Sequence, residues 1–367
     1  MVYDAHKPLS HRVVDDAMIV AFGGGKARSV SRPAGVFDPQ GNYIPLSQCW
    51  RDSRGHTTSP SAPPNEEQIT QRLTGTWLFG GMLYAHFGHF LCESTSRLWG
   101  LDLPEIEYDG VIFHPKVRLP RMSRLIGPTK PWLAVAGCDL PVSAPPDPVR
   151  VDRLVIPEQG FGTGDMVAGR PEYRDFIHRR FGRSVKACGA EKLYISRSRL
   201  YSKRGRILGE PFLERALTAE GYEVFHPQEH MIEEQIARYK AARVVISSDC
   251  SALHLSALFA KPNDRVAIIA RRPGPTIEDF RAQYRMFCGL EPVCMSHLTA
   301  VHSFEGAKLA QMSEVYAEVD FAALRSNLVN AGFISGKPWD LPSPSDLRRN
   351  LHQYAERQGH DLPERTL

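Results

Sequence analysis

Between residues 192 and 269 the chain alternates short apolar runs with helical segments, and this alternation constrains the fold more than any other feature. Residues 192–196, 222–225, 244–247 and 266–269 read as strands. Residues 211–220, 232–241 and 251–260 read as the helices between them, the first stopped by Gly221. Strands that are apolar along their length and separated by helices belong to a parallel sheet covered on both faces. The expected class is therefore α/β. Such a sheet receives ligands outside the carboxyl ends of its strands.

The rest of the chain is less regular. Residues 1–70 form a lead-in rich in Pro, Gly and Ser, with short strands expected at 18–22 and 36–37 and a loop over 53–65. An apolar run over 77–83 precedes a helix expected over 86–98, and 111–114 and 151–156 read as buried strands. The glycines of 160–164 suggest a hinge, and 172–181 a helix. A helix is expected at 321–329, then a Pro-rich link and a last helix over 345–357. In that helix Ser345 is a suitable N-cap, and Leu347, Leu351 and Tyr354 make one apolar stripe. The expected division is 1–165, 166–335 and a C-terminal linker and helix at 336–367. A chain of 367 residues suits two domains better than one core.

Lys and Arg number 45 against 41 Asp and Glu, a formal charge of +4. No single basic stripe stands out, so a nucleic-acid partner is not expected, whereas anionic small molecules are compatible. The seven cysteines are odd in number and form no C-x-x-C pair. They read as free thiols of a reducing compartment rather than zinc ligands. The polar N-terminus carries no apolar signal core, and no apolar run is long enough to span a bilayer. The expected location is the cytoplasm, with peripheral contact at the inner face of a membrane left open.

Three segments carry candidate chemistry. In the first, a helix over 86–98 places His86, His89, Glu93 and Arg97 on one stripe, with His89 and Glu93 at i, i+4. A carboxylate that fixes the tautomer of a histidine makes it a suitable general base, with Glu93 orienting His89. The same pair also reads as a structural polar contact. A third reading makes His86, His89 and Glu93 metal ligands, although the histidine spacing of i, i+3 departs from the usual i, i+4.

In the second segment the strand at 192–196 runs into Arg197, with Arg199, Lys203, Arg204 and Arg206 beyond it. Cations at a strand's carboxyl end suit a diphosphate, and they equally suit a solvated loop. In the third, the chain passes from strand to turn to helix through Ser247, Ser248, Asp249, Cys250, Ser251 and Ala252. Small residues and free N–H groups there suit a phosphate, and His254 either lines that pocket or packs in the core. Glu234 and Gln235 are candidates for ribose hydroxyls, or a normal acidic helix start. Gly23-Gly24-Gly25-Lys26 lacks the phosphate-loop spacing, and 160–164 is not a dinucleotide fingerprint because Asp165 holds the third position.

Taken together, three stretches resemble the catalytic region of glycosyltransferase family 61. Phe87-Gly88-His89-Phe90-Leu91-Cys92-Glu93, followed by Arg97-Leu98-Trp99, is similar to the family's G-H-F-L-x-[DE] motif. Leu193-Tyr194-Ile195-Ser196-Arg197, followed by Arg204, Arg206 and Glu210, resembles its Y-I-S-R stretch and basic loop. Residues from Glu234-Gln235-Ile236 to Ser251-Ala252-Leu253-His254-Leu255 look like its nucleotide-side turn. The resemblance covers about 75–260. Asp249 and Cys250 stand where the family often has His and Gly, and Gly209 where it often has Asn.

The resemblance implies a GT-B architecture, two Rossmann-like domains facing across a cleft. It implies an inverting transfer from a nucleotide-sugar donor, bound by the C-terminal domain, to a carbohydrate acceptor, without a metal or other cofactor. His89 and Glu93 are then catalytic. Arg197, Arg204, Arg206, Glu234, Gln235, Asp249, Ser251, Ala252 and His254 line the donor side. The last helix is expected to cross back to the first domain. Bacterial relatives of this type point to capsule or other surface polysaccharide synthesis. A non-catalytic nucleotide-sugar or glycan-binding protein on the same fold stays open, as does a metallohydrolase using His86, His89 and Glu93.

Overall fold

A computed structural model of the chain describes residues 4–20, 22, 31–116, 123–200, 204–304 and 314–365. Gly23-Gly24-Gly25-Lys26, Lys203 and the Ala21 position of the expected strand at 18–22 lie outside the described residues. The chain divides into two compact units, Met1–Ser184 and Val185–Leu367. Both are α/β.

The first unit is built on a six-stranded mixed sheet. Its strands are β1 (His11–Val20), β2 (Gly35–Phe37), β3 (Gln71–Leu83), β4 (Gly110–Pro115), β5 (Val142–Ser143) and β6 (Val149–Pro157), in the order β2-β1-β6-β3-β4-β5. Strands β6, β3, β4 and β5 run parallel, while β1 is antiparallel to both β6 and β2. β4 is buried along its whole length, as an interior parallel strand covered on both faces should be. Phe79, Met82, Ile112, Val151, Leu154 and Ile156 form the centre of the core. The lead-in, expected as a loop over 53–65, contains short paired strands at Gly55–His56 and Thr58–Ser59.

The longer helices of this unit are α1 (Ser123–Val135) and α2 (Pro171–Arg180). The sequence conceals α1 because Pro128 and Pro131 lie inside it, where proline removes a helical donor. Leu125, Thr129 and Leu133 nevertheless share a buried face, and the Thr129 hydroxyl donates to the Leu125 carbonyl at 2.9 Å. The 160–164 segment, expected as a hinge, lies within the first unit. There Gly160 N donates to Ser96 O at 2.9 Å, and Arg170 N donates to Gly160 O at 2.8 Å.

The second unit contains β7 (Lys192–Ile195), β8 (Arg206–Ile207), β9 (Glu223–Phe225), β10 (Val244–Ser248), β11 (Arg265–Ile269), β12 (Val293–Met295), β13 (Leu298–His302), β14 (Tyr316–Val319) and β15 (Glu364–Arg365). The expected parallel sheet is present in the order β9-β7-β10-β11-β12, with every pair parallel. Its crossovers carry α3 (Glu210–Ala219), α4 (Ile232–Ala241), α5 (Ala252–Ser256) and α6 (Thr276–Cys288). A smaller mixed sheet, β8-β14-β13-β15, lies in the same unit. α5 is shorter than the helix expected over 251–260. Past Ser256 the bonding tightens, as Leu258 N donates to Leu255 O and Phe259 N to Ser256 O at 3.1 Å each.

Two helices follow, α7 (Phe321–Asn330) and α8 (Pro344–Gln358). Ser343, not Ser345, caps α8: Pro344 takes the first helical position and Asp346 closes a capping box. The apolar stripe of α8, expected to reach back to the first domain, packs within the second unit. Leu347, Leu351 and Tyr354 lie against Leu208, Tyr316 and Leu362, and Gly209 N donates to the Asn350 side chain at 3.1 Å. Among the described residues no helix is long and apolar enough to cross a membrane.

His114 on β4 is 1% exposed and sits edge-on to Phe79, with ring centroids 5.1 Å apart. Among the described residues neither of its ring nitrogens has a hydrogen-bond partner. Burial, aided by the nearby Arg97 charge, lowers its pKa to about 3. The folded chain therefore keeps this imidazole neutral where the unfolded chain, titrating near 6.5, takes up a proton. Stability from this residue is present above about pH 6.5 and is lost as pH falls toward 3, amounting to about 2 kcal/mol between pH 7.5 and 5. Urea unfolding of the native chain and of His114→Phe at both pH values should show a steeper loss in the native chain by about that amount.

Candidate functional site

The first cluster follows β3. The single helix expected over 86–98 is three successive turns: α-helical at Phe87–His89, π-helical at Phe90–Ser94 and 3-10 at Leu98–Asp102. Hydroxyl side chains explain the change, because they bond the backbone in place of a regular ladder. The Thr95 hydroxyl donates to Leu91 O at 2.7 Å, Ser96 Oγ donates to Glu93 O at 2.6 Å, and Tyr84 N donates to Ser94 Oγ at 3.0 Å. Thr95 N reaches back five residues to Phe90 O at 3.3 Å.

The π turn holds Glu93 in the interior, with its side chain 3% exposed. Its Oε1 lies 2.5 Å from His89 Nδ1, and its Oε2 accepts from the Tyr84 hydroxyl at 2.7 Å. The Tyr84 ring stacks on the His89 ring with centroids 5.1 Å apart and planes 23° apart. Burial first, and then the Glu93 charge, push the Tyr84 phenol well above its ordinary pKa, so it stays a neutral donor. With Nδ1 donating to the carboxylate, Nε2 of the 29% exposed His89 carries the basic lone pair. His86 stands beside it, ring centroids 5.1 Å apart. Among the described residues no group of three His, Cys, Asp or Glu side chains is arranged to hold a metal ion, His86, His89 and Glu93 included.

Arg97, from the same motif, serves the fold. Its guanidinium is 1% exposed and donates to Leu46 O at 2.9 Å, Gln48 O at 2.8 Å and Pro157 O. It thereby ties the lead-in to the end of β6.

The second cluster lies on the carboxyl edge of the parallel sheet. The chain goes from β7 outward to β9, then returns to β10 on the other side of β7. The winding thus reverses between β7 and β10, where loops diverge and ligands bind in sheets of this kind. Ser196 and Arg197 follow β7, Asp249 to Ser251 follow β10, and Arg271 and Arg272 follow β11.

Arg197, 8% exposed, donates through Nε and Nη2 to Gly205 O at 3.1 and 2.9 Å, and its backbone N donates to Glu210 Oε1 at 2.9 Å. Glu210 is buried, and burial raises its pKa despite the Arg197 charge. Asp249 is 1% exposed, and its Oδ1 lies 3.1 Å from Arg271 Nε and 3.2 Å from Arg272 Nε. Burial and the facing Arg197 charge lower the Arg271 pKa to about 9, against the pull of Asp249. One carboxylate thus lies between two guanidinium groups, while Glu210 and Glu214 bond the segment that carries Arg197. Gly205 permits this packing, since a Cβ there would collide with the Val315 carbonyl and come 2.9 Å from Arg271 Nη1.

The remaining expected donor residues divide. Arg204 is exposed, and Ser251 and Ala252 stand at the start of α5. Arg206 is 2% exposed and donates to Ser198 O at 2.6 Å and Leu200 O at 2.7 Å, with its guanidinium 4.5 Å over the Tyr354 ring. It is engaged in bracing its own segment. Gln235 donates to Pro227 O at 2.8 Å and His230 O at 3.1 Å, and Glu234 pairs with His230 at 2.9 Å and Arg238 at 3.5 Å. His254 Nδ1 is bonded to Gln283 at 2.7 Å and its ring packs on Phe280 at 4.7 Å.

Sequence reasoning missed Tyr84, Arg271 and Arg272. A signal existed for the arginines: 266–270 is an apolar run ending in Arg271-Arg272, the same pattern as 192–197.

The chain belongs to glycosyltransferase family 61, whose model, described as Glycosyltransferase 61, matches residues 87–267. That span runs from the α-helical turn at Phe87–His89 to β11. Membership makes the protein a glycosyltransferase, acting on a donor and an acceptor. No curated protein matches the chain.

Removing the carboxylate of Asp249 leaves buried Arg271 and partly buried Arg272 without their shared anion. Asp249→Ala is expected to lower the unfolding free energy by about 3 kcal/mol, read from the urea midpoint.

Proposed function

We propose that this protein is an inverting glycosyltransferase that moves a sugar from a nucleotide-sugar donor to a hydroxyl of a carbohydrate acceptor, using a side-chain base and no metal. The observation that carries the reading is the Tyr84–Glu93–His89 chain, which fixes the His89 tautomer and leaves Nε2 as its basic atom. In the reaction, Nε2 takes the acceptor proton as the hydroxyl oxygen bonds to the anomeric carbon. The bond from that carbon to the phosphate oxygen breaks, and the nucleoside diphosphate leaves with the electron pair. His89 then returns the proton to solvent.

Negative charge grows on the departing oxygen, so fixed cations stabilise the transition state more than the ground state. Arg197, Arg272 and the N–H groups near Ser251 and Ala252 fill that role, with Arg204 assisting. Asp249 positions Arg271 and Arg272. The reading assigns the acceptor to the first unit and the donor to the second, in a GT-B arrangement. The product chemistry proposed is polysaccharide or glycan synthesis, and the free cysteines favour the cytoplasm.

A thermal-shift screen with nucleotide sugars and nucleoside diphosphates tests the donor side; a ligand at 100 times its Kd adds about 2.7 kcal/mol of stability. Once a donor is found, His89→Ala should cut kcat by about 10²- to 10⁴-fold while leaving nucleotide affinity unchanged. Turnover unaffected by His89→Ala would instead point to a different base, and donor binding without turnover to a binding protein.

A further inference from the structure

Arg197 stands just past the ladder of its own strand. β7 stops at Ile195, and Ser196 N, donating to Phe225 O at 2.9 Å, makes the next bond to the sheet. Beyond it the side chains of α3 take over. Glu210 opens that helix and Glu214 stands one turn later, so both carboxylates lie on one face. Glu210 Oε1 accepts from Arg197 N at 2.9 Å and from the Tyr194 hydroxyl at 3.0 Å. Glu214 Oε1 accepts from Ser196 Oγ at 2.6 Å and from Ser198 Oγ at 2.5 Å. Ser198 N closes the group by donating to Ser196 Oγ at 3.0 Å. Glu214 therefore grips the residues on either side of Arg197.

Like charges one turn apart on a helix repel, and Glu214, its side chain 18% exposed, gives up much of its hydration. Donors from 196–198 offset both costs. His226, which follows β9, lies 3.8 Å from Glu214 Oε1, and burial favours its neutral form, so the two serines are the donors that hold this oxygen. Successive side chains of an extended chain point to opposite sides. A helix that takes Ser196 and Ser198 thus leaves the Arg197 side chain directed away from itself. The guanidinium donates to Gly205 O, and its charge is felt by Arg271 beyond the end of β11. That is the edge assigned above to the diphosphate.

We propose that Glu214 is a positioning residue for glycosyl transfer: by holding Ser196 and Ser198 it aims Arg197 at the leaving diphosphate. It acts through Arg197, without touching substrate. The proposal rests on the reading of Arg197 as a contact of that diphosphate.

The test uses the full chain, with UDP, GDP, ADP, CDP and dTDP as probes and binding measured by calorimetry. The probe that binds most tightly is carried through the variants. Arg197→Ala should weaken it about tenfold or more, as loss of a charged hydrogen bond does. Glu214→Ala should weaken it by a comparable factor. Glu214→Gln keeps an oxygen that accepts from both serines, and should bind within about threefold of the native chain. Adding Glu214→Ala to Arg197→Ala should cause no further loss, because a residue acting through another is not additive with it. A role in holding the fold alone predicts the same weakening in both backgrounds, and that result overturns the proposal. So does native affinity in Glu214→Ala. Urea midpoints report whether each variant folds. Should Glu214→Ala not fold, the milder Ser198→Ala decides by the same comparison: about threefold weaker binding in the native background, and no change in Arg197→Ala. Native affinity in Arg197→Ala, or binding of none of the five probes, sinks the reading of Arg197 and the proposal with it. Weak binding in Arg197→Ala, with native affinity in the Glu214 and Ser198 variants, sinks only the positioning role.

Discussion

Parallel strands joined by helices all end at one edge, and in the second unit everything of chemical interest follows from that constraint. The order β9-β7-β10-β11-β12 makes the chain turn back past its own first strand. The segments leaving β7 and β10 therefore separate, and the residue types placed there are unusual for an interior. Arg197, Asp249 and Arg271 are all nearly inaccessible to solvent. Water cannot hold these charges, so they must hold each other. Glu210 fixes the Arg197 backbone, Gly205 receives its guanidinium, and Asp249 takes the Nε atoms of two further arginines. An edge built this way is held by its own ion pairs and hydrogen bonds, so it is ordered without a ligand.

The first unit meets a related demand with opposite sign. Glu93 is a carboxylate inside the protein, and it is tolerable there because a phenol and an imidazole each donate to it. The consequence reaches the surface: holding Glu93 also fixes the ring of His89, which is exposed enough to meet a substrate. Arg97, four residues further on, repeats the principle for structure alone, with backbone carbonyls as its acceptors. Neighbouring polar residues on one short segment thus do separate work, and the difference lies in what surrounds them.

The parallel sheet was legible in the sequence because strands covered on both faces must be apolar throughout, and 192–195, 244–248 and 265–269 are nearly so. The His89–Glu93 pair was legible because i, i+4 spacing survives even though the helix around it is irregular. α1 was not, since two prolines argue locally against the helix that tertiary packing imposes. Arg206 and Arg197 look alike in sequence, and it takes the folded positions of the Ser198 and Leu200 carbonyls, with the Tyr354 ring 148 residues away, to show that Arg206 braces its own segment. Arg271 and Arg272 escaped notice for a similar reason, their shared partner Asp249 lying far upstream in the chain. The stripe on α8 was read correctly as apolar, but periodicity does not say which surface a stripe will meet.

The π turn at Phe90–Ser94 has an implication for how such a pair of residues arises. A π turn holds one residue more than an α-helical turn of the same height. Deleting a single residue there would restore ordinary winding and swing every later side chain by about 100° about the axis. Thr95 and Ser96, which bond the surrounding backbone, would be carried off their partners. A related chain one residue shorter at this place would need other contacts to hold a carboxylate in the interior behind its histidine.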